Sequence, residues 1–228
     1  MPLTTDELNW VSQHMDIYKI PYQEVHDEVL DHILSAIEQA REAGNDLAIE
    51  RLFQNVVDEH FNGYIGIDEI VQVQEKAYRK KINRIFWRNY RSILDWKAIT
   101  FILIAMVIAH FLPIKTMATK LLLVVIFIAE FVPIIYAYVK TRIIKVSKGK
   151  KSLLRRHLLA NGYIPFAILN LYLNIPNCID DINDNRDLHF WILAHPEVAA
   201  LVMALTIIYS ISSVYLCRQE LQAYKLSA

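Results

Sequence analysis

The side chain with the most chemistry open to it is Glu130, alone among apolar residues in LLLVVIFIAEFVPIIYAYV, residues 121–139. In a crossing helix it would lie about 13 Å from the outer end, at ~1.5 Å per residue. An acid at that depth costs about 2.5–3.5 kcal/mol on insertion scales, so it turns toward other helices and is protonated or hydrogen-bonded. Matching depths among the other apolar stretches offers Asn170, Thr206 and Tyr209 as companions, with His110 shallower. Tyr163, Asn170 and Asn174 also recur at helical spacing beside the kink expected at Pro165. Two uses are open to the set Glu130, Asn170, Asn174, Thr206 and Tyr209. One is a proton-coupled or ligand-sensing site, and the other is neutral hydrogen bonding between helices.

Three further groups carry charge or ligating atoms. Glu24, Asp27, Glu28, Asp31 and His32 crowd one stretch. Glu28 and His32 are four apart and share a helix face, as two metal ligands must. A two-metal bundle needs Glu-x-x-His from two helices, and only Glu28-x-x-Asp31 approximates it. We therefore read these residues as a solvated partner surface, with no metal and no cofactor. Lys140, Arg142, Lys145, Lys148, Lys150, Lys151, Arg155 and Arg156 form a run with no acid among them. Such a run attracts anionic lipid headgroups, at about 1 kcal/mol per basic residue, or the acidic segment of the same chain. We expect that docking to loosen as salt rises, and we assign the run no nucleic acid. Last, His189, His195 and Glu197 flank Phe190-Trp191 and read as interfacial anchors. No Walker loop, G-x-S-x-G, His-Glu-x-x-His or dinucleotide fingerprint occurs, so no enzymatic activity is assigned.

The elements that must position these residues follow from hydropathy and charge. The 228 residues carry 24 bases and 24 acids, and 54% are hydrophobic, which excludes disordered and low-complexity chains. Residues 1–75 hold 16 acids and 3 bases, net −13, whereas residues 76–157 hold 2 acids and 18 bases, net +16. The acidic start MPLTTDELNW is not a secretory signal. Crossing ~30 Å of hydrocarbon takes about 20 apolar residues, and four stretches approach that: about 97–114, 121–139, 158–176 and 198–217. Loops rich in Lys and Arg stay in the cytoplasm. The run before the first stretch and the run 140–157 are basic, while 177–197 is mostly acidic, so four crossings leave both termini inside. Cys178 and Cys217 then fall on opposite sides and cannot pair within one chain.

The N-terminal part reads as helices. Thr4 and Glu7 offer a capping box, and Pro21 stops that first helix or opens the next. A second is expected over 22–43, with Val25, Val29, Ile33 and Ile37 on one stripe. A third follows over 46–60, and a fourth over 67–95 becomes steadily more basic and aromatic. The expected fold is all-α, a small helical bundle followed by a four-helix transmembrane bundle. Its parts are an acidic domain at 1–66, a basic interfacial stem at 67–96, crossings within 97–217 and a cytoplasmic tail at 218–228.

The run YQEVHDEVLDHILSAIEQAREAGNDLAIERLF, residues 22–53, contains Glu28-x-x-Asp31-His32 and Glu38, followed by a glycine turn and another helix. It resembles the HAAS and permease-prefix domains of bacterial membrane proteins, whose genes commonly accompany PadR-type regulators. KAYRKKINRIFWRNYRSI, residues 76–93, followed by several apolar stretches, looks like multi-span proteins of Bacteroidetes that carry such a domain. The third helix lacks that family's closing F-G phrase, and no permease half follows. The resemblance implies the bacterial cytoplasmic membrane and a regulatory or signalling role, with a cytoplasmic regulator or a neighbouring membrane protein as partner. A small transporter or transport subunit built on Glu130 is the alternative.

Overall fold

The computed structural model describes residues 3–182 and 194–227. Among them the regular elements are helical, with one isolated parallel bridge between Tyr22 and Lys151. The chain divides into two compact units, one of residues 1–81 with 144–153 and the other of residues 82–143 with 154–228.

The first unit opens with α1 (Thr5–His14), capped as the sequence requires. The Glu7 amide donates to Thr4 Oγ1 at 3.3 Å, and the Thr4 amide to Glu7 Oε2 at 2.9 Å. The helix stops well before Pro21: a 3-10 turn occupies Met15–Tyr18, and Lys19 turns left-handed at φ 50°. α2 (Gln23–Glu42) buries Val25, Val29, Ile33 and Ile37 on the expected stripe and ends before Gly44, at φ 84°. α3 (Ile49–Phe61) begins three residues later than expected, because the Asn45 side chain takes the Leu47 amide and holds that turn out of the helix. α4 (Gly63–Ile93) starts four residues early. Asn62 and Gly63 reverse the chain with positive φ, and a Cβ on Gly66 would run into the Phe61 carbonyl. The turn therefore depends on glycine at 66.

Phe53, 1% exposed, lies at the centre of this unit's core. Trp10 and His14 meet its ring edge-on, with centroids 5.7 and 5.3 Å away. Ile67 and Val71 of α4 join from one side, and Leu153 joins from the distant segment 144–153. Burying side chains of this size contributes about 1.5–3 kcal/mol each.

The second unit contains the end of α4, then α5 (Trp96–His110), α6 (Lys115–Lys140), α7 (Leu153–Gly162), α8 (Ile164–Ile182) and α9 (Pro196–Ser227). Among the described residues two helices are long and apolar enough to cross a membrane: α6 with its short extension, Lys115–Ile143, and α9 over Pro196–Leu226. The other two expected stretches take different forms. α5 has 15 residues, about 22 Å, and meets α4 at a bend of 66° where Asp95 caps α5 by accepting the Ala98 amide. The third stretch is broken between α7 and α8 at Tyr163, two residues ahead of Pro165, because proline lacks an amide and disfavours helix before it. The expected tail 218–228 is a continuation of α9 as far as Ser227.

Directions within this unit are set by a few contacts. His110, at the end of α5, lies 3.6 Å from Glu197, at the start of α9, so those helices run antiparallel. Ala129 of α6 meets Ser210 of α9, and further along both chains Lys140 shares a cleft with Arg218 and Leu221, so α6 and α9 run parallel. α7 ends against α6, where a Cβ on Gly162 would sit 3.4 Å from the Ile134 nitrogen.

Candidate functional site

In α6, Ile126, Glu130, Pro133 and Ala137 recur at three- and four-residue spacing and form its buried stripe. Glu130 is thereby 0% exposed, facing other helices as its charge requires. Neither carboxylate oxygen has a hydrogen-bond partner among the described residues. None of the companions expected from depth matching is hydrogen-bonded to Glu130 among the described residues. Asn170 and Asn174 are exposed on α8 and bond to each other, Asn174 Nδ2 donating to the Asn170 carbonyl at 2.8 Å. Thr206 is buried in α9 at 6% exposure. Tyr209 donates its hydroxyl to Asn161, at 3.0 Å to Oδ1 and 3.2 Å to the carbonyl.

The polar cluster that does form is Asn161, Tyr209 and Ser213. Asn161 Nδ2 donates to Ser213 Oγ at 3.2 Å, and all three side chains are buried. It sits at the end of α7, where the break before Tyr163 frees carbonyls that a continuous helix would use. Sequence reasoning passed over Asn161 because the face it shows depends on where the helix breaks. A second pairing of this kind links Pro133 to Ser210. Proline at 133 has no amide to give the Ala129 carbonyl, four residues before it. Ser210 Oγ of α9 donates to that carbonyl at 3.1 Å and takes the missing amide's place.

The acidic set on α2 is largely engaged within its own unit. Glu24 accepts from Ser152 Oγ at 2.6 Å and from the Leu153 amide at 2.8 Å, capping the first turn of α7. Asp27 accepts from Gln23 at 2.7 Å and lies 3.2 Å from His26 Nδ1, while Glu28 accepts from Gln74 at 3.0 Å. Asp31 and His32 are exposed. Glu28, His32, His60, Phe61, Ile70 and Gln74 line an open groove of about 470 Å³ between α2, α3 and α4. No group of three or more His, Cys, Asp or Glu among the described residues is placed to hold a metal. Glu7 has its carboxyl held below the usual 4.5 by the Thr4 amide and hydroxyl, with Arg41 adding a bond at 2.9 Å.

Besides the Glu24 bonds, segment 144–153 is fastened to the start of α2 through backbone amides and Gln23. The Gln23 amide donates to the Lys151 carbonyl at 2.9 Å, and the Lys151 amide to the Pro21 carbonyl at 2.8 Å. The Ser147 amide donates to Gln23 Oε1 at 3.1 Å. Lys150 pairs with Asp16 at 3.3 Å, but the Asp16 side chain is 71% exposed. Lys145, Lys148 and Lys151 face solvent. The basic run thus splits. Its middle is built into the acidic unit by backbone bonds, by the Glu24 bonds to Ser152 and Leu153 and by the Lys150–Asp16 pair. At one end Arg142 lies over the Tyr138 ring, 4.7 Å from its centroid, and Arg155 approaches the same ring at 5.8 Å. Lys140 and Arg156 are exposed.

His195 lies just before α9, and Glu197 pairs with His110; His189 and Phe190-Trp191 lie outside the described residues. The side chain of Cys217 is buried. No family model, curated protein or solved structure matches the chain.

Proposed function

We propose that this chain is an integral protein of the bacterial cytoplasmic membrane, crossing it four times, whose acidic N-terminal unit is a cytoplasmic interaction module with a regulatory role. The observation that carries the reading is the inclusion of residues 144–153 in the same folded unit as residues 1–81. Both must lie on one side of the membrane. If α6 crosses, a second crossing is needed between residues 82 and 115, and α5 supplies it. Because α9 runs parallel to α6, the chain must also cross back between them, which falls to α7 and α8. This parity supports four crossings, as does the charge of the loops. The outward faces of α5 and α6 support a lipid surround: Phe101, Ile108, Val124, Ile128 and Ile135 are 55–73% exposed, an apolar surface too continuous for water.

The module is tied to the connection between two crossings, so a partner that binds it acts on α6 and α7 through Glu24 and the bridge at Tyr22. The resemblance of residues 22–53 to HAAS-type domains points the same way. Photo-crosslinkers at Asp31 and His32, both exposed, test it in cells. One discrete adduct that persists in Glu130→Gln is expected. Absence of any adduct, or its loss in Glu130→Gln, contradicts a regulatory module.

One observation favours a second reading, transport. Glu130 is fully buried with both oxygens unpartnered, beside a crossing broken at Tyr163, and broken helices with intramembrane carboxylates serve proton and ion paths. Proton flux into liposomes carrying the full chain, abolished in Glu130→Gln, would support it; equal flux in both would remove it.

A further inference from the structure

Where α6 and α9 end side by side, Lys140, Arg218 and Lys225 converge on a cleft of about 210 Å³. Tyr136 contributes to the cleft wall, and no carboxylate lines it. None of the three cations is in an ion pair among the described residues, and all three are exposed. Like charges gathered without a counter-ion repel, and an anion between them relieves that. The cleft has room for a phosphodiester group.

The cleft does not end at its polar rim. Tyr136 and Lys140 also line a second, almost wholly apolar furrow of about 380 Å³, whose other walls are Val132, Ile135 and Val139. These residues share one face of α6 by their three- and four-residue spacing. Val132, Ile135 and Val139 are 50–57% exposed. Lys140 Nζ stands 5.9 Å from the Tyr136 ring centroid, at the junction of the two. A site cationic at the membrane surface and greasy along the helix below it has the shape of a lipid, not of a soluble phosphate.

We propose that the cytoplasmic ends of α6 and α9 bind one anionic phospholipid, its headgroup phosphate held by Lys140, Arg218 and Lys225 and an acyl chain lying along Val132, Ile135 and Val139. This rests on reading α6 and α9 as crossing helices. Arg218 and Lys225 belong to the continuation of α9, so the last turns of that helix acquire a purpose: they bring two cations across to the one on α6.

The full chain, purified in neutral detergent and stripped of lipid, is titrated with dioctanoyl phosphatidylglycerol and dioctanoyl phosphatidylcholine, and bound lipid is counted by native mass spectrometry. Inorganic phosphate and glycerophosphoglycerol, the headgroup without chains, are the further arms. One phosphatidylglycerol per chain is expected, with phosphatidylcholine weaker by tenfold or more. Each cation contributes about fivefold, so Lys140→Gln/Arg218→Gln/Lys225→Gln loses on the order of a hundredfold. Lys145→Gln/Lys148→Gln/Lys151→Gln, with the same change in charge, loses less than fivefold. Equal binding of the two lipids, equal losses in the two triple variants, or displacement of the lipid by millimolar phosphate or by the bare headgroup overturns the site. Any of these in a chain that still requires detergent for extraction leaves the membrane reading intact, whereas recovery of the chain without detergent ends both.

Discussion

Ser210 and Pro133 make a pair whose energetics can be separated. Removing the Ser210 hydroxyl leaves the Ala129 carbonyl with neither its helical amide, absent because residue 133 is proline, nor its 3.1 Å donor from α9. Hydrogen bonds between membrane helices average about 0.6 kcal/mol, and an unsatisfied buried carbonyl costs about 1–3 kcal/mol. Ser210→Ala is therefore expected to destabilise the helical unit by about 1–2 kcal/mol. Pro133→Ala restores an amide four residues after Ala129, so the carbonyl no longer depends on α9. In that background Ser210→Ala is expected to cost under about 0.5 kcal/mol, a coupling of roughly 1 kcal/mol. Reversible unfolding of the full chain in mixed micelles, by titration with a denaturing detergent, reads all four corners of the cycle. An equal cost of Ser210→Ala in both backgrounds refutes the compensation, since the serine would then be serving something other than the proline's orphaned carbonyl.

The attachment of segment 144–153 makes two predictions about one readout, amide exchange at 147–153 in the full chain. Glu24→Ala removes the acceptor for Ser152 and Leu153 and is expected to speed exchange by an amount equivalent to about 1–2 kcal/mol. Raising salt to molar levels is expected to change it less, because Asp16, the partner of Lys150, is largely solvated. At Glu7, the folded carboxyl titrates below its usual 4.5. Its contribution is therefore complete above that value and is lost as pH falls through the folded value. Glu7→Gln is expected to flatten the pH dependence of exchange in α1 over that acid range and to leave it unchanged near neutrality. Gly66→Ala places a Cβ against the Phe61 carbonyl, and a loss of about 1–3 kcal/mol is expected in the N-terminal unit, read as faster exchange at the amides of α3.

Local signals in the sequence carried over well where one helix decides its own shape. The Thr4–Glu7 box, the stripe on α2 and the apolar face of α3 need no partner to be recognised. The start of α6 at Lys115 was hidden because Lys115, Thr116 and Lys120 are polar, and hydropathy reports solvent preference, not helicity. The same reason concealed the run of α9 through Arg218 and Lys225. The position of residues 144–153 was out of reach for a different reason. Its bonds pair Pro21, Gln23 and Glu24 with groups more than a hundred positions away, most of them backbone, which carry no residue-type signal. Charge counting favoured electrostatic docking there, while the geometry puts most of the lysines in solvent. Depth matching likewise gave no sign of Asn161, whose bonds to Tyr209 and Ser213 depend on where the helix breaks at Tyr163.

The most direct test of the account is the side on which three single cysteines are found, in a chain whose Cys178 and Cys217 are replaced by serine. Thr5→Cys and Ser147→Cys are predicted to react with a membrane-impermeant maleimide only after the cells are opened, and Met117→Cys, at the start of α6, to react in intact cells. Labelling of Ser147→Cys from outside, or of Met117→Cys and Ser147→Cys from the same side, contradicts it.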